Sequence, residues 1–149
     1  MFKFIIIFFY LFFVIFYSYS EEKKTFLMLK NNKVNVRYGP SFDYHIKYIY
    51  KKIQLPVQLI DKKENFRRII DHKKNSGWIH ISQLRKSKSL ITTSSKILFK
   101  KPTKYSKPLV KLDSGRLLLI KKCEKNWCYV NTDQFSGWID KNNIWGSIE

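Results

Sequence analysis

The sequence is short of the residues from which active sites are built. It has three histidines, two cysteines and 11 carboxylates in 149 residues. His45, His72 and His80 stand apart from any Ser or Cys with a nucleophile's neighbours, and each reads as a solvated side chain. There is no G-x-S-x-G and no H-E-x-x-H. The five glycines fall singly at turns or strand starts, so none is left for a phosphate-binding loop. No pair of carboxylates is marked by spacing. The chain is therefore read as not an enzyme, with no metal and no cofactor. Beyond residue 20 no segment keeps a 3.6-residue apolar period, which argues against helices.

Acidic residues are scarce against 29 Lys and Arg, giving a net charge of +18. Such a field attracts polyanions: anionic cell wall, lipid head groups or nucleic acid. The lysines are scattered singly and in pairs rather than in one tract, so the plain reading is a solvated basic surface. Export, argued next, speaks against nucleic acid as a partner.

Residues Met1 to Ser20 carry one charge, Lys3, ahead of an unbroken apolar run from Phe4 to Tyr17. That run has 14 residues. As a helix it would reach about 21 Å, short of a hydrocarbon core of about 30 Å. With small residues at Ser18 and Ser20 it reads as a signal peptide over residues 1–20, cut before Glu21. The alternative is an uncleaved N-terminal membrane anchor. Either way the rest of the chain is expected outside the cytoplasm, in the periplasm or cell envelope.

The dominant feature is a repeat. Ser76-Gly77-Trp78-Ile79 returns unchanged as Ser136-Gly137-Trp138-Ile139, 60 residues later. Asn65-Phe66-Arg67-Arg68-Ile69-Ile70 precedes the first copy and Asn126-Trp127-Cys128-Tyr129-Val130 the second. Tyr38-Gly39-Pro40-Ser41 answers to Lys100-Lys101-Pro102-Thr103. Two units of about 60 residues are small for independent folding. The 15 aromatics beyond residue 20 supply apolar area for both cores.

Within the first unit, Val34 to Arg37, Tyr48 to Tyr50, Leu55 to Asp61, Phe66 to Asp71 and Ser76 to His80 read as five short strands. Pro56 belongs at a strand start or edge. Ile81 to Leu84 reads as a single helical turn. The expectation is all-β: two small barrels, over residues 25–87 and 96–149, with a connector at 88–95 in which Ser89-Leu90-Ile91 can extend into a strand.

Taken in order, Val34-Asn35-Val36-Arg37-x-Gly39-Pro40-Ser41, Leu55-Pro56-Val57, Phe66-Arg67-Arg68-Ile69 and Ser76-Gly77-Trp78-Ile79-His80 resemble the bacterial SH3-like domain. The resemblance spans nearly all of residues 33 to 146 and is similar to exported tandem-SH3 proteins of alphaproteobacteria. It implies two SH3-type barrels and a non-catalytic targeting role, with cell-wall peptides or glycans as the usual ligands. Lys100-Lys101-Pro102 departs from the pattern at the turn after the first strand, which puts that loop's role in the second unit in doubt.

Cys123 and Cys128 flank a hairpin turn. An even count in an exported chain favours a disulfide between them. The spacing is not C-x-x-C, and no His or second Cys pair completes a metal shell.

The remaining chemistry is a binding surface. Alternation sends Trp78 and Ile79 to opposite faces, as it does Trp138 and Ile139. The isoleucines are expected inside, which leaves each Trp at the rim against a loop, the sister barrel or a ligand. Phe66 and Trp127 occupy the place that resembles the groove aromatic of SH3-type domains. Tyr38, Phe42 and Tyr44 from the long loop are candidates to complete an aromatic groove, and Arg68 to reach a ligand carboxylate. The alternative for those loop aromatics is packing on their own barrel. The function expected is binding to peptidoglycan or an envelope protein. The alternative is a membrane-anchored interaction protein without a ligand groove.

Overall fold

The computed structural model describes residues 24–146, so the leader expected at residues 1–20 lies outside the described residues. Short alternating segments such as Val34-Asn35-Val36-Arg37, separated by polar turns, leave strands as the only way to bury one face of each. Strands β1 (Phe26–Leu29), β2 (Val34–Arg37), β3 (Ile46–Tyr50), β4 (Pro56–Lys63), β5 (Phe66–Ile70), β6 (Ser76–His80) and β7 (Leu84–Lys86) make one sheet. Their order is β3-β2-β6-β5-β4-β1-β7. Strands β8 (Ser89–Thr92), β9 (Lys96–Phe99), β10 (Pro108–Leu112), β11 (Leu117–Glu124), β12 (Trp127–Asn131), β13 (Ser136–Asp140) and β14 (Ile144–Gly146) make the second. Its order, β10-β9-β13-β12-β11-β8-β14, is the first with every strand advanced by seven places. All pairings are antiparallel. The repeat in the sequence is thus a repeat in topology.

Each sheet curls round its own core. Leu29, Val34, Val36, Leu55, Val57, Ile69, Ile79 and Leu84 meet inside the first, contributed from strand after strand. Leu90, Leu98, Leu112, Leu118, Cys128, Val130 and Ile139 fill the second. Fully burying one such aliphatic side chain stabilises by about 1.5–3 kcal/mol. Ile79 and Ile139 do point inward, as alternation requires. Gly77 and Gly137 just before them are demanded by closure. A Cβ on Gly77 would lie 2.4 Å from Val36 Cγ1, and one on Gly137 would lie 2.9 Å from the Phe99 carbonyl oxygen. The repeated motif therefore marks where the second strand of each unit crosses closest to the sixth.

Each sheet has seven strands where five were expected per unit. The additional ones, such as β7 and β14 with three residues each, are too short to carry a period. The helical turn expected after β6 is a three-residue 3₁₀ helix, Ile81–Gln83. The 88–95 segment, expected as a connector, contains β8, the second barrel's counterpart of β1.

Strand β8 is buried along its whole length because its two faces see different cores. Leu90 enters the second core, whereas Ile91 belongs to the first. Trp145 and Leu117 lie in register on either side of Ile91 and pack on the same first core. Phe26 meets the Trp145 ring edge-on at 5.3 Å. Ser89 Oγ donates to the Gln54 carbonyl at 2.7 Å. The barrels are joined through an apolar, hydrogen-bonded face rather than by a tether.

Candidate binding site on the first barrel

The outer face of β2, β6 and β5 carries the aromatic and basic residues. Residues directly opposite in antiparallel strands share a face. Trp78 lies opposite Arg37 on one side and Arg68 on the other. One step along, Phe66 lies opposite His80. The loop between β2 and β3 folds over this end. Phe42 approaches Phe66 at 5.2 Å and His80 at 5.0 Å between ring centroids, and Phe66 and His80 are 5.2 Å apart. The three rings form a shelf beside Trp78. Phe66 is its buried base, whereas Phe42 stays 60% exposed at its top.

Arg37 holds the loop in place. Its Nη1 donates to the carbonyl oxygens of Phe42 (3.0 Å) and Tyr44 (2.7 Å), and its guanidinium lies 5.4 Å from the Phe42 ring centre. Gly39 makes room for Tyr44, since a Cβ there would lie 2.5 Å from the Tyr44 ring. Lys47 sits 5.7 Å from the Tyr38 ring centre. Past the other end of β5, the buried Asp71 carboxylate accepts from the Tyr50 hydroxyl at 3.0 Å and from the Lys73 and Asn75 amides at 2.9 Å each. Burial, with help from Tyr48 and Asp71, keeps the Tyr50 phenol far above its ordinary range, so it remains a neutral donor.

The arginines of β5 divide their work. Arg67 Nη1 is engaged by the carbonyls of Glu64 (2.8 Å) and Phe66 (2.9 Å). Arg68 is exposed and, among the described residues, has no hydrogen-bond or ion-pair partner. Chemically, the face offers a cluster of rings with Phe42 and His80 tilted at 35° to each other over an edge-on Phe66, a half-buried indole and the available Arg68 guanidinium.

The corresponding face of the second barrel is closed. Phe99 stands where the first barrel has Arg37, and Tyr129 where it has Arg68, each opposite Trp138. Tyr129 packs on Trp138 at 5.5 Å and Lys122 Nζ lies 5.0 Å from its ring centre. Trp138 is only 8% exposed. Trp127 packs edge-on against Phe99 at 5.8 Å, opposite Asp140. Asp140 pairs with the buried Lys96 ammonium at 2.6 Å. Burial raises its carboxyl, but Lys96, the Asn142 amide and Lys104 outweigh that and hold it below the ordinary value. Cys123 and Cys128 lie opposite each other in β11 and β12 and are disulfide-bonded.

Of the sequence candidates, Tyr38, Phe42, Tyr44, Phe66, Arg68 and Trp78 fall in one region, whereas Trp127 and Trp138 lie on the other barrel. Two contributors were missed. From the sequence, Arg37 reads only as a strand residue and His80 as solvated. Their signal was parity: Arg37 starts the long loop, and His80 is two residues beyond Trp78 and so shares its face.

A pair of small antiparallel barrels with an aromatic-basic outer face and a loop folded over it defines an SH3-like module. The sequence profile described as "Bacterial SH3 domain" matches twice, at residues 30–86 and 95–146. The chain belongs to the bacterial SH3 domain family. No curated protein sequence matches it. Two solved structures from Trichomonas vaginalis are similar to it: NlpC2, at 12% identity over 86% of this chain and 50% of that one, and NlpC1, at 13% over 87% and 48%. Both give a TM-score of 0.39, and this chain spans about half the length of each.

Proposed function

We propose that the protein is an exported, non-catalytic binding module whose first barrel holds a peptidoglycan fragment on its outer face. One observation carries the reading: the Phe42–Phe66–His80 shelf and Trp78 lie beside an Arg68 guanidinium with no partner among the described residues. Flat sugar or extended peptide surfaces suit the rings, and a peptide carboxylate suits the guanidinium. Family membership supports binding as the general role, and the disulfide suits an oxidising compartment. The apolar run at residues 4–17 supports export.

The test is co-sedimentation of the protein with purified sacculi at physiological salt. Wild type is retained, and Trp78→Ala and Arg68→Ala each reduce retention about tenfold, as expected when a buried stacking or charge-assisted contact is lost. Retention that disappears at moderate salt, or that is unchanged in both variants, removes this face as a specific wall site.

A further inference from the structure

The loop between the first two core strands is built on one frame in both barrels and carries opposite chemistry in each. In the first barrel the Tyr38 amide donates to the His45 carbonyl at 3.2 Å, and in the second the Lys100 amide donates to the Lys107 carbonyl at 3.0 Å. In each, a hydroxyl inside the loop accepts from the amide two residues on: Ser41 from Asp43 at 3.2 Å and Thr103 from Tyr105 at 3.4 Å. Position by position, Tyr38, Gly39, Phe42 and His45 become Lys100, Lys101, Lys104 and Lys107. Asp43, the first loop's one acid, becomes Tyr105.

The second loop is wired shut. The Thr103 amide donates to the Lys101 carbonyl at 2.8 Å, the Ser106 amide to the Thr103 carbonyl at 3.2 Å, and the Lys101 amide to Ser106 Oγ at 2.9 Å. All four lysines are exposed, and among the described residues no ion pair holds any of them. Half of these eight residues are Lys, against about one Lys or Arg in five over the whole chain, so the loop is not a sample of the general basicity. The one nearby acid, Asp140, is already paired with Lys96. Tyr105 is 100% exposed, with no side chain covering it. An amphipathic ring with nothing to pack on, set among exposed ammonium groups on an ordered loop backbone, matches the head-group layer of an anionic bilayer, where Tyr rings settle and each lysine gains from lipid phosphate.

We infer that the Lys100–Lys107 loop of the second barrel docks on an anionic phospholipid surface. None of these residues belongs to the first barrel's face, so the docking surface stands or falls independently of the wall-binding reading.

The experiment is flotation of the full chain with phosphatidylcholine vesicles, with and without phosphatidylglycerol. Three variants are compared: Lys100, Lys101, Lys104 and Lys107 all to Gln; Lys30, Lys33, Lys51 and Lys52 all to Gln; and Tyr105→Ser. Residues 1–20 are present in every protein, so their own lipid affinity is common to all. The loop variant loses on the order of a thousandfold in affinity for phosphatidylglycerol vesicles, and the equally charged control no more than about threefold. Tyr105→Ser loses severalfold without changing the melting temperature. Equal losses in the two quadruple variants, or a loop-variant loss on phosphatidylcholine vesicles equal to its loss on phosphatidylglycerol vesicles, overturn the assignment. If the loop variant loses binding only to soluble dextran sulfate and not to vesicles, the partner is a soluble polyanion and the bilayer is wrong.

Discussion

Ile91→Ala tests whether the two barrels are one folding unit. Ile91 is on the second sheet, yet its side chain is fully buried in the first core, flanked in register by Trp145 and Leu117. The substitution removes three carbons. Their transfer alone is about 2.4 kcal/mol at roughly 0.8 per methylene, and a residual cavity brings the cost to about 2–5 kcal/mol. A 60-residue barrel by itself has about 3–9 kcal/mol of stability, so the loss is comparable to that of the whole unit. Urea unfolding, followed by tryptophan fluorescence and by circular dichroism, reads the outcome. Wild type unfolds in one transition seen equally by both probes, and Ile91→Ala moves all of it to lower urea. Two separated wild-type transitions with only the later one moved, or a loss below about 1 kcal/mol, would refute the shared interface.

Gly39→Ala puts a methyl group into the Tyr44 ring; it should lower ligand affinity severalfold while the melting temperature changes by only a few degrees, because the displaced ring is half exposed. Asp140→Asn leaves the buried Lys96 ammonium without its counter-charge; urea unfolding should show a loss of about 1–3 kcal/mol, below the full buried-pair value because Asp140 is partly exposed. Asp140's folded pKa is depressed from 3.8, so its contribution is complete above that pH and is lost as pH falls through the lower folded value. The wild type should therefore show an acid-side stability slope that Asp140→Asn lacks. Reducing the Cys123–Cys128 disulfide, which closes a six-residue loop, should cost roughly 2 kcal/mol in the same assay without abolishing the fold.

The repeat was legible because its parts are forced by packing. Gly77 and Gly137 tolerate no side chain where strands cross, and Ile79 and Ile139 alternate with a tryptophan that must face the other way. Ser89-Leu90-Ile91 is legible as an extended run, but its membership of the second barrel is not, because Ser89-Leu90-Ile91-Thr92 has no apolar alternation. Alternation signals one wet face, and this strand has none. The interdomain role of Trp145 was hidden for the same reason, since the sequence says that a ring is apolar but not which core receives it. At the candidate site, parity located Trp78 and Arg68. The closure of Trp138 by Phe99 and Tyr129 depends on which residues of β9 and β12 stand opposite it, a cross-strand register that no single strand's sequence carries.

The most direct test of the binding face uses the four tryptophan indole N–H signals as reporters. The protein is titrated with soluble, stem-peptide-bearing peptidoglycan fragments and the signals are followed by NMR. The Trp78 resonance should shift in proportion to occupancy while those of Trp127, Trp138 and Trp145 stay in place. A titration in which Trp127 or Trp138 moves most, or in which no indole moves at saturating fragment, contradicts the assignment of binding to the first barrel's outer face.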